Sequence, residues 1–313
     1  MIKKIIPAFF CLLLHNGSFA QKQKDSTVFF ENKTITLSEV VVDNKLNVPV
    51  FINRIKNDSS FYKAFRNLHI LGFTSINDIR MNTSDGKAKA TLYSKTKQQR
   101  TANCRSMETL EESVTGDMYD AAHQFNYYTA QLYASLFFTK DSVCGEDNIV
   151  TGRAFSTTGK SGLEKNKEQL KILFFNPGKK INGLPFMSNK TAIFDEDMAD
   201  NYEMSIDIET YKNRPCYLFT QKVKPSGRNN VVIDEMITWF DLETYDVLAR
   251  NYSLSYDALV YDFKVSMEVQ LSKFGEYLVP ALLRYNGNWK AAFKKRERGV
   301  FTATLFDFCC SIK

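Results

Sequence analysis

The most regular signal in the chain is an alternation. From Leu259 to Leu271, Leu259, Tyr261, Phe263, Val265, Met267, Val269 and Leu271 fall on one face, and Asp262, Lys264, Ser266, Glu268 and Gln270 on the other. A strict period of two over that length describes a strand with one buried and one wet face. Related runs occupy Arg214–Lys224, Val231–Phe240, Val247–Ser255, Leu278–Tyr285 and Val300–Phe308. Between them lie Pro225-Ser226-Gly227, Asp241-Leu242-Glu243, Lys273-Phe274-Gly275 and Asn286-Gly287-Asn288, which read as turns. Residues 201–308 therefore predict an antiparallel meander.

The first half is mixed. Lys33–Asp43 has strand composition, and Gln21 to about Glu31 is a polar arm. Pro49 suits a first helical turn, and Phe51, Ile55, Tyr62 and Phe65 recur at helical spacing, which predicts a helix over 49–67. Asp58-Ser59 can interrupt it, because short polar side chains compete with helix backbone bonds. Ser84-Asp85-Gly86-Lys87 marks a hairpin turn between Leu68–Met81 and Ala88–Lys97, whereas Gln98–Asp120 carries no decisive pattern. Tyr128, Leu132 and Leu136 fit a helix over 127–138, with a strand as the alternative. Asn148-Ile149-Val150 reads as a strand. Ser161 with Glu164 forms a capping box that opens a helix closed by Asn176-Pro177-Gly178.

The N-terminus changes the setting. Lys3 and Lys4 precede an apolar run from Ile5 to Leu14, and Ser18-Phe19-Ala20 offers small residues for cleavage after Ala20. Such a run is too short for a membrane-spanning helix. Cys11 follows the large Phe10, which does not fit a lipid-anchor site. The expectation is an exported protein of the periplasm or outer-membrane periphery. Its segments are a signal peptide at 1–20, a flexible arm with a short strand at 21–47, and one α+β domain at 48–313. Without the leader lysines the formal charge falls from +6 to +4, with charges interspersed, so nothing calls for nucleic acid.

An oxidising compartment allows disulfides, and Cys104 with Cys144 is the preferred pair. The remaining Cys216, Cys309 and Cys310 leave an odd thiol. No cysteine or histidine spacing suggests a metal, and no cofactor is expected. Asp195-Glu196-Asp197 lacks the spacing of a calcium loop, so a solvated turn is expected. Gly152–Ser161 resembles a phosphate loop, but Ala154 stands where glycine is required. His69 lies in the run read as a strand and suits a structural role. His123 beside Asp120 could serve a hydrolase, yet no nucleophile elbow accompanies it. Lys294–Arg298 reads as a solvated hairpin end.

Two resemblances follow. Thr36–Val42, "TLSEVVV", resembles a linking segment of TonB-dependent outer-membrane receptors; alone it implies an extended segment that pairs with the sheet or with a partner strand in the envelope. The order of helix, hairpin, capped helix and meander resembles the periplasmic outer-membrane lipoprotein carrier/localisation family. Trp239–Tyr256 and Leu271–Gly287 carry the local likeness. This implies an α+β fold, an antiparallel curved half-barrel sheet with helices packed on its concave face. With 15 Tyr and 25 Phe, that face would be lined by rings, either as plain core or as a cleft for an acyl chain or hydrophobic peptide. Tyr261, Phe263 and Met267 are the expected floor. No catalytic residue follows from the resemblance. The leading expectation is non-enzymatic binding of a lipid or envelope partner; the alternatives are a small outer-membrane β-barrel and an envelope hydrolase.

Overall fold

Among the described residues, thirteen strands join into one large, curved and unclosed sheet in the computed structural model. The structure describes residues 25–310 except 32, 45, 151–172, 174, 181–186, 188, 259–260 and 292–294. The signal peptide, the phosphate-loop-like segment and the start of the capping-box helix lie outside the described residues.

In chain order the elements are β1 (Ser26–Phe30), β2 (Lys33–Leu37), α1 (Glu39–Asp43), α2 (Val48–Asn57), α3 (Ser60–Asn67), β3 (Gly72–Asn82), β4 (Ala88–Thr101) and β5 (Cys104–Gly116). Next come α4 (Tyr128–Phe137), β6 (Ser142–Cys144) and α5 (Glu196–Ala199). The meander is β7 (Tyr202–Tyr211), β8 (Arg214–Val223), β9 (Ile233–Asp241), β10 (Val247–Asp257), β11 (Tyr261–Phe274), β12 (Tyr277–Ala291) and β13 (Glu297–Cys309). Across the sheet the order is β1-β2-β7-β8-β9-β10-β11-β12-β13-β3-β4-β5-β6. Every ladder is antiparallel except β2 with β7. One-residue register shifts in several ladders bend the strands, as bulges do.

Register makes the sheet two-faced. Residues directly opposite each other in a ladder project to the same side. One such line runs through Val28, Ile35, Met204, Gln221, Met236, Tyr252, Met267, Tyr285, Phe301, Ile79, Leu92 and Val114, so it crosses from β1 to β5. From Ile35 to Leu92 all its members are buried. The next line on the opposite side reads Ser205, Thr220, Ile237, Asn251, Glu268, Arg284, Thr302 and Asp78, with Arg284 paired to Glu268 at 2.8 Å. That face is wet, and among the described residues the sheet is unclosed, with β1 and β6 at its ends.

Helices cover the apolar face. Phe51 of α2 meets Tyr217, Phe219 and Phe240 edge-on, with ring centroids 5.4, 6.0 and 5.6 Å away. Phe61 of α3 stands 6.5 Å from Tyr252, and Tyr133 of α4 4.6 Å from Phe301. Asp58 separates α2 from α3 as its spacing predicts, accepting from Ser60 N (3.0 Å) and Ser60 Oγ (2.9 Å). α4 is capped from afar: the Glu297 carboxylate accepts from Tyr128 N (2.9 Å), Thr129 N (2.8 Å) and Thr129 Oγ1 (2.7 Å). An acidic cap satisfies helix-end N–H groups and complements the helix dipole.

Four local expectations change. In the Thr36–Val42 stretch, Thr36 and Leu37 pair inside the sheet between β1 and β7, and Glu39–Asp43 are helical, so the stretch offers no free strand. Ser38 decides this locally, its Oγ accepting from Val41 N at 3.4 Å. Asn286-Gly287-Asn288 is no turn but the middle of β12; the bare Gly287 leaves room for the Tyr285 ring, which would collide with a Cβ there. Asn148–Val150 is not a strand. His69 lies in the turn before β3 rather than in a strand.

Gln221 is the exception in the buried line. It is fully buried between Met204 and Met236, and neither its amide nitrogen nor its oxygen finds a partner. An unmet buried polar group costs about 1–3 kcal/mol. Gln221→Met should therefore stabilise the fold by about 1–2 kcal/mol in guanidinium unfolding. A loss of stability would show that the amide is satisfied in solution.

Candidate functional site

The helix-covered face opens between α3 and α4. On α3, Tyr62, Phe65 and Arg66 follow at helical spacing and so share a side; Ser135, Leu136 and Phe137 of α4 stand opposite, with Phe175 between. Together they line a cleft of about 260 Å³. Phe175 lies 4.5 Å from Phe65 and 6.4 Å from Phe137, ring to ring, which makes the wall aromatic.

The rim of this cleft is charged. Glu146 Oε2 accepts from Arg105 Nε at 2.5 Å, and its Oε1 accepts from Arg105 Nη2 at 3.3 Å and lies 2.8 Å from His69 Nδ1. A carboxylate only accepts, so Nδ1 carries the proton in that bond. Arg105 Nη1 also donates to Gln98 Oε1 (3.1 Å) and Thr139 Oγ1 (2.5 Å), while Gln98 Nε2 donates to the carbonyls of Leu68 and Leu71 at 2.7 Å each. Arg66 Nη2 donates to the Asp147 carbonyl at 2.8 Å, but its buried Nε finds no partner. Burial pushes the Glu146 carboxyl up, yet the hydrogen bonds and charges of His69 and Arg105 outweigh this and hold it at about 2.

Cysteine chemistry positions this rim. Cys104 and Cys144 stand opposite each other in the β5–β6 ladder and are joined by a disulfide, with Cα atoms 4.0 Å apart. The link fixes β6 against β5, and Glu146 follows two residues later.

Other candidates lie elsewhere. Phe263 and Met267 are 7% and 2% exposed and pack into the core, away from the cleft lining; the Tyr261 backbone opens β11 opposite Ala291, and its side chain lies outside the described residues. His123 stacks on Tyr119 at 4.1 Å, and the Asp120 carboxylate is engaged by the backbone N–H groups of Ala122 and Gln124. No hydroxyl or thiol among the described residues completes a catalytic set with His123. Cys216 is buried, which pushes its thiol up; Cys309 and Cys310 are exposed. No cluster of metal-binding side chains occurs among the described residues.

No family model matches the chain, and neither does any curated protein. Several solved structures show a weak similarity to the chain. One is a candidate outer membrane lipoprotein-sorting protein domain from Vibrio parahaemolyticus, at 9% identity and TM-score 0.27, covering 78% of this chain and 88% of its own. A DUF1329 family protein from Desulfovibrio piger has 12% identity and TM-score 0.25, with 81% and 95% covered. A LolA superfamily protein from Nitrosomonas europaea has 10% identity and TM-score 0.25, with 82% and 93% covered. At TM-scores this far below 0.5, none of them assigns the chain an activity.

The rim could not be foreseen from spacing. Arg105 lies in the unassigned Gln98–Asp120 stretch, and Glu146 is adjacent to nothing charged that identifies its partners. The one usable signal was the Cys104–Cys144 pairing, since it brings the neighbours of both cysteines together.

Because Glu146 is held at about 2 in the fold, against about 4.3 when unfolded, its contribution is complete above about pH 5 and decays as pH falls toward 2. Glu146→Gln should therefore lower Tm at pH 7, and the gap between variant and parent should close between pH 4 and 2. A gap independent of pH would show that the carboxylate's charge is not what holds the rim.

Proposed function

We propose that the protein is an exported, non-enzymatic binding protein for a hydrophobic ligand such as an acyl chain. One observation carries this: an aromatic and aliphatic cleft of about 260 Å³, bounded by a rim of charged and amide side chains, opens on the face that the helices cover. Small-molecule sites combine mostly apolar walls with a few fixed polar groups and span ~300–1,000 Å³, so this cleft suits one slender chain. In this proposal α2, α3 and α4 lie on the concave side of the sheet. Phe263 and Met267 then form a floor beneath them, which a longer chain would meet if the helices part. Export, with cleavage after Ala20, is part of the same proposal.

A fluorescent fatty acid titrated into the detergent-free protein tests it, together with native mass spectrometry of the protein purified from periplasm. Micromolar binding is expected, with lipid-sized mass on the native ion. Leu136→Glu, which puts a charge in the cleft wall, should weaken binding at least tenfold with the fold retained by circular dichroism. Absence of binding by the parent protein would overturn the proposal.

A further inference from the structure

Beneath the elbow between α2 and α3 lies a buried charge that has no direct ion pair among the described residues. Arg250, on the helix-covered side of β10, is 6% exposed. Its Nε donates to Thr238 Oγ1 of β9 at 3.0 Å, and the Phe61 ring covers its guanidinium carbon at 4.3 Å. An arginine carries five N–H donors. The four on its terminal nitrogens meet no acceptor among the described residues, and no described carboxylate stands within 4.0 Å.

The surroundings are cationic. Lys179, half-buried, donates to the Lys56 carbonyl, and its ammonium feels both Arg250 and Lys56. Asp58 is the carboxylate that opposes Arg250 and Lys179, its oxygens engaged by Ser60, while Lys56 pairs with Glu31 at 3.4 Å. At the same elbow a cavity of about 120 Å³ is lined by Arg54, Asp58 and Asp246 together with Phe51, Phe240 and Tyr245. Lys273 neutralises Asp246 at 2.5 Å. Burial pushes the Arg250 guanidinium down to about 10 and lowers Lys179 as well.

A neutral side chain would serve the sheet better at this position. Its ladder neighbours in line are Ile206, Phe219, Thr238, Val269 and Leu283. Buried charges are ordinarily paired, and an unpaired one opposes folding. Functional sites are among the places where a fold gives up stability in this way.

We propose that Arg250, assisted by Lys179, receives the anionic headgroup, carboxylate or phosphate, of an amphiphile whose tail lies under the helices. The guanidinium fork matches either group with two parallel hydrogen bonds. This inference rests on the function proposed above and assigns it a class of ligand: anionic rather than neutral.

The experiment compares laurate, 1-dodecanol and lysophosphatidic acid by displacement of a fluorescent fatty-acid probe from the full chain at pH 7. The parent protein should bind at least one anion tenfold or more tightly than the alcohol; which anion wins separates carboxylate from phosphate. Arg250→Met should erase that preference, leave the alcohol's affinity unchanged and raise Tm without ligand. Lys179→Met should reduce the preference in the same direction, which keeps the test open if Arg250→Met fails to fold. Equal binding of anion and alcohol by the parent overturns this inference alone. An unchanged preference in Arg250→Met also overturns it. Binding of none of the three overturns the proposed function, and this inference with it.

Discussion

The structure depends on a register kept across the whole sheet. A slip of one residue in any ladder would turn that strand's buried set to water. The line from Ile35 to Leu92 shows how far the constraint reaches: residues from opposite ends of the chain fall on one face because each ladder preserves the side of its neighbour. Burying that face gives α2, α3 and α4 a surface to cover. Neither the cleft between α3 and α4 nor the chamber under the elbow would exist without it.

Polar residues on the covered face fall into two kinds. Asn77 is satisfied: its side chain bonds Ser75 and Ser94, and the Tyr133 hydroxyl donates to it at 2.5 Å, which ties α4 to the sheet. Networks of this sort specify one packing arrangement when every member is paired. Gln221 and Arg250 are different: the Gln221 amide finds no partner, and among the described residues Arg250 bonds only Thr238. Around Arg250 that capacity coincides with a second, half-buried cation, Lys179, and this coincidence separates a candidate recognition point from a packing defect.

The meander was legible because alternation is local. Phe263, Val265, Met267 and Val269 announce their shared face without knowledge of any partner, and β7 to β13 follow in sequence order across the sheet. The elements that sequence reading missed are ruled by contacts far along the chain. Gly287 reads as a turn until Tyr285 is seen to lie over it. Val40–Val42 have strand composition, yet the Ser38 cap and burial of Val41 make them helical. The cleft rim was the least legible part, because Arg105, His69 and Glu146 are gathered by a disulfide and by turns rather than by a motif.

The seam between β13 and β3 has a temporal consequence. It pairs Gly299 with Met81 and Phe306 with Thr74, so β3, β4 and β5 attach to the rest of the sheet through a strand synthesised long after them. Until β13 emerges from the ribosome, that early β-ribbon has no neighbour on the β3 side. Pairing across such sequence distance carries a high entropic cost of closure and slows folding. A nascent chain of this kind stays incomplete, and therefore threadable, until nearly all of it has been made.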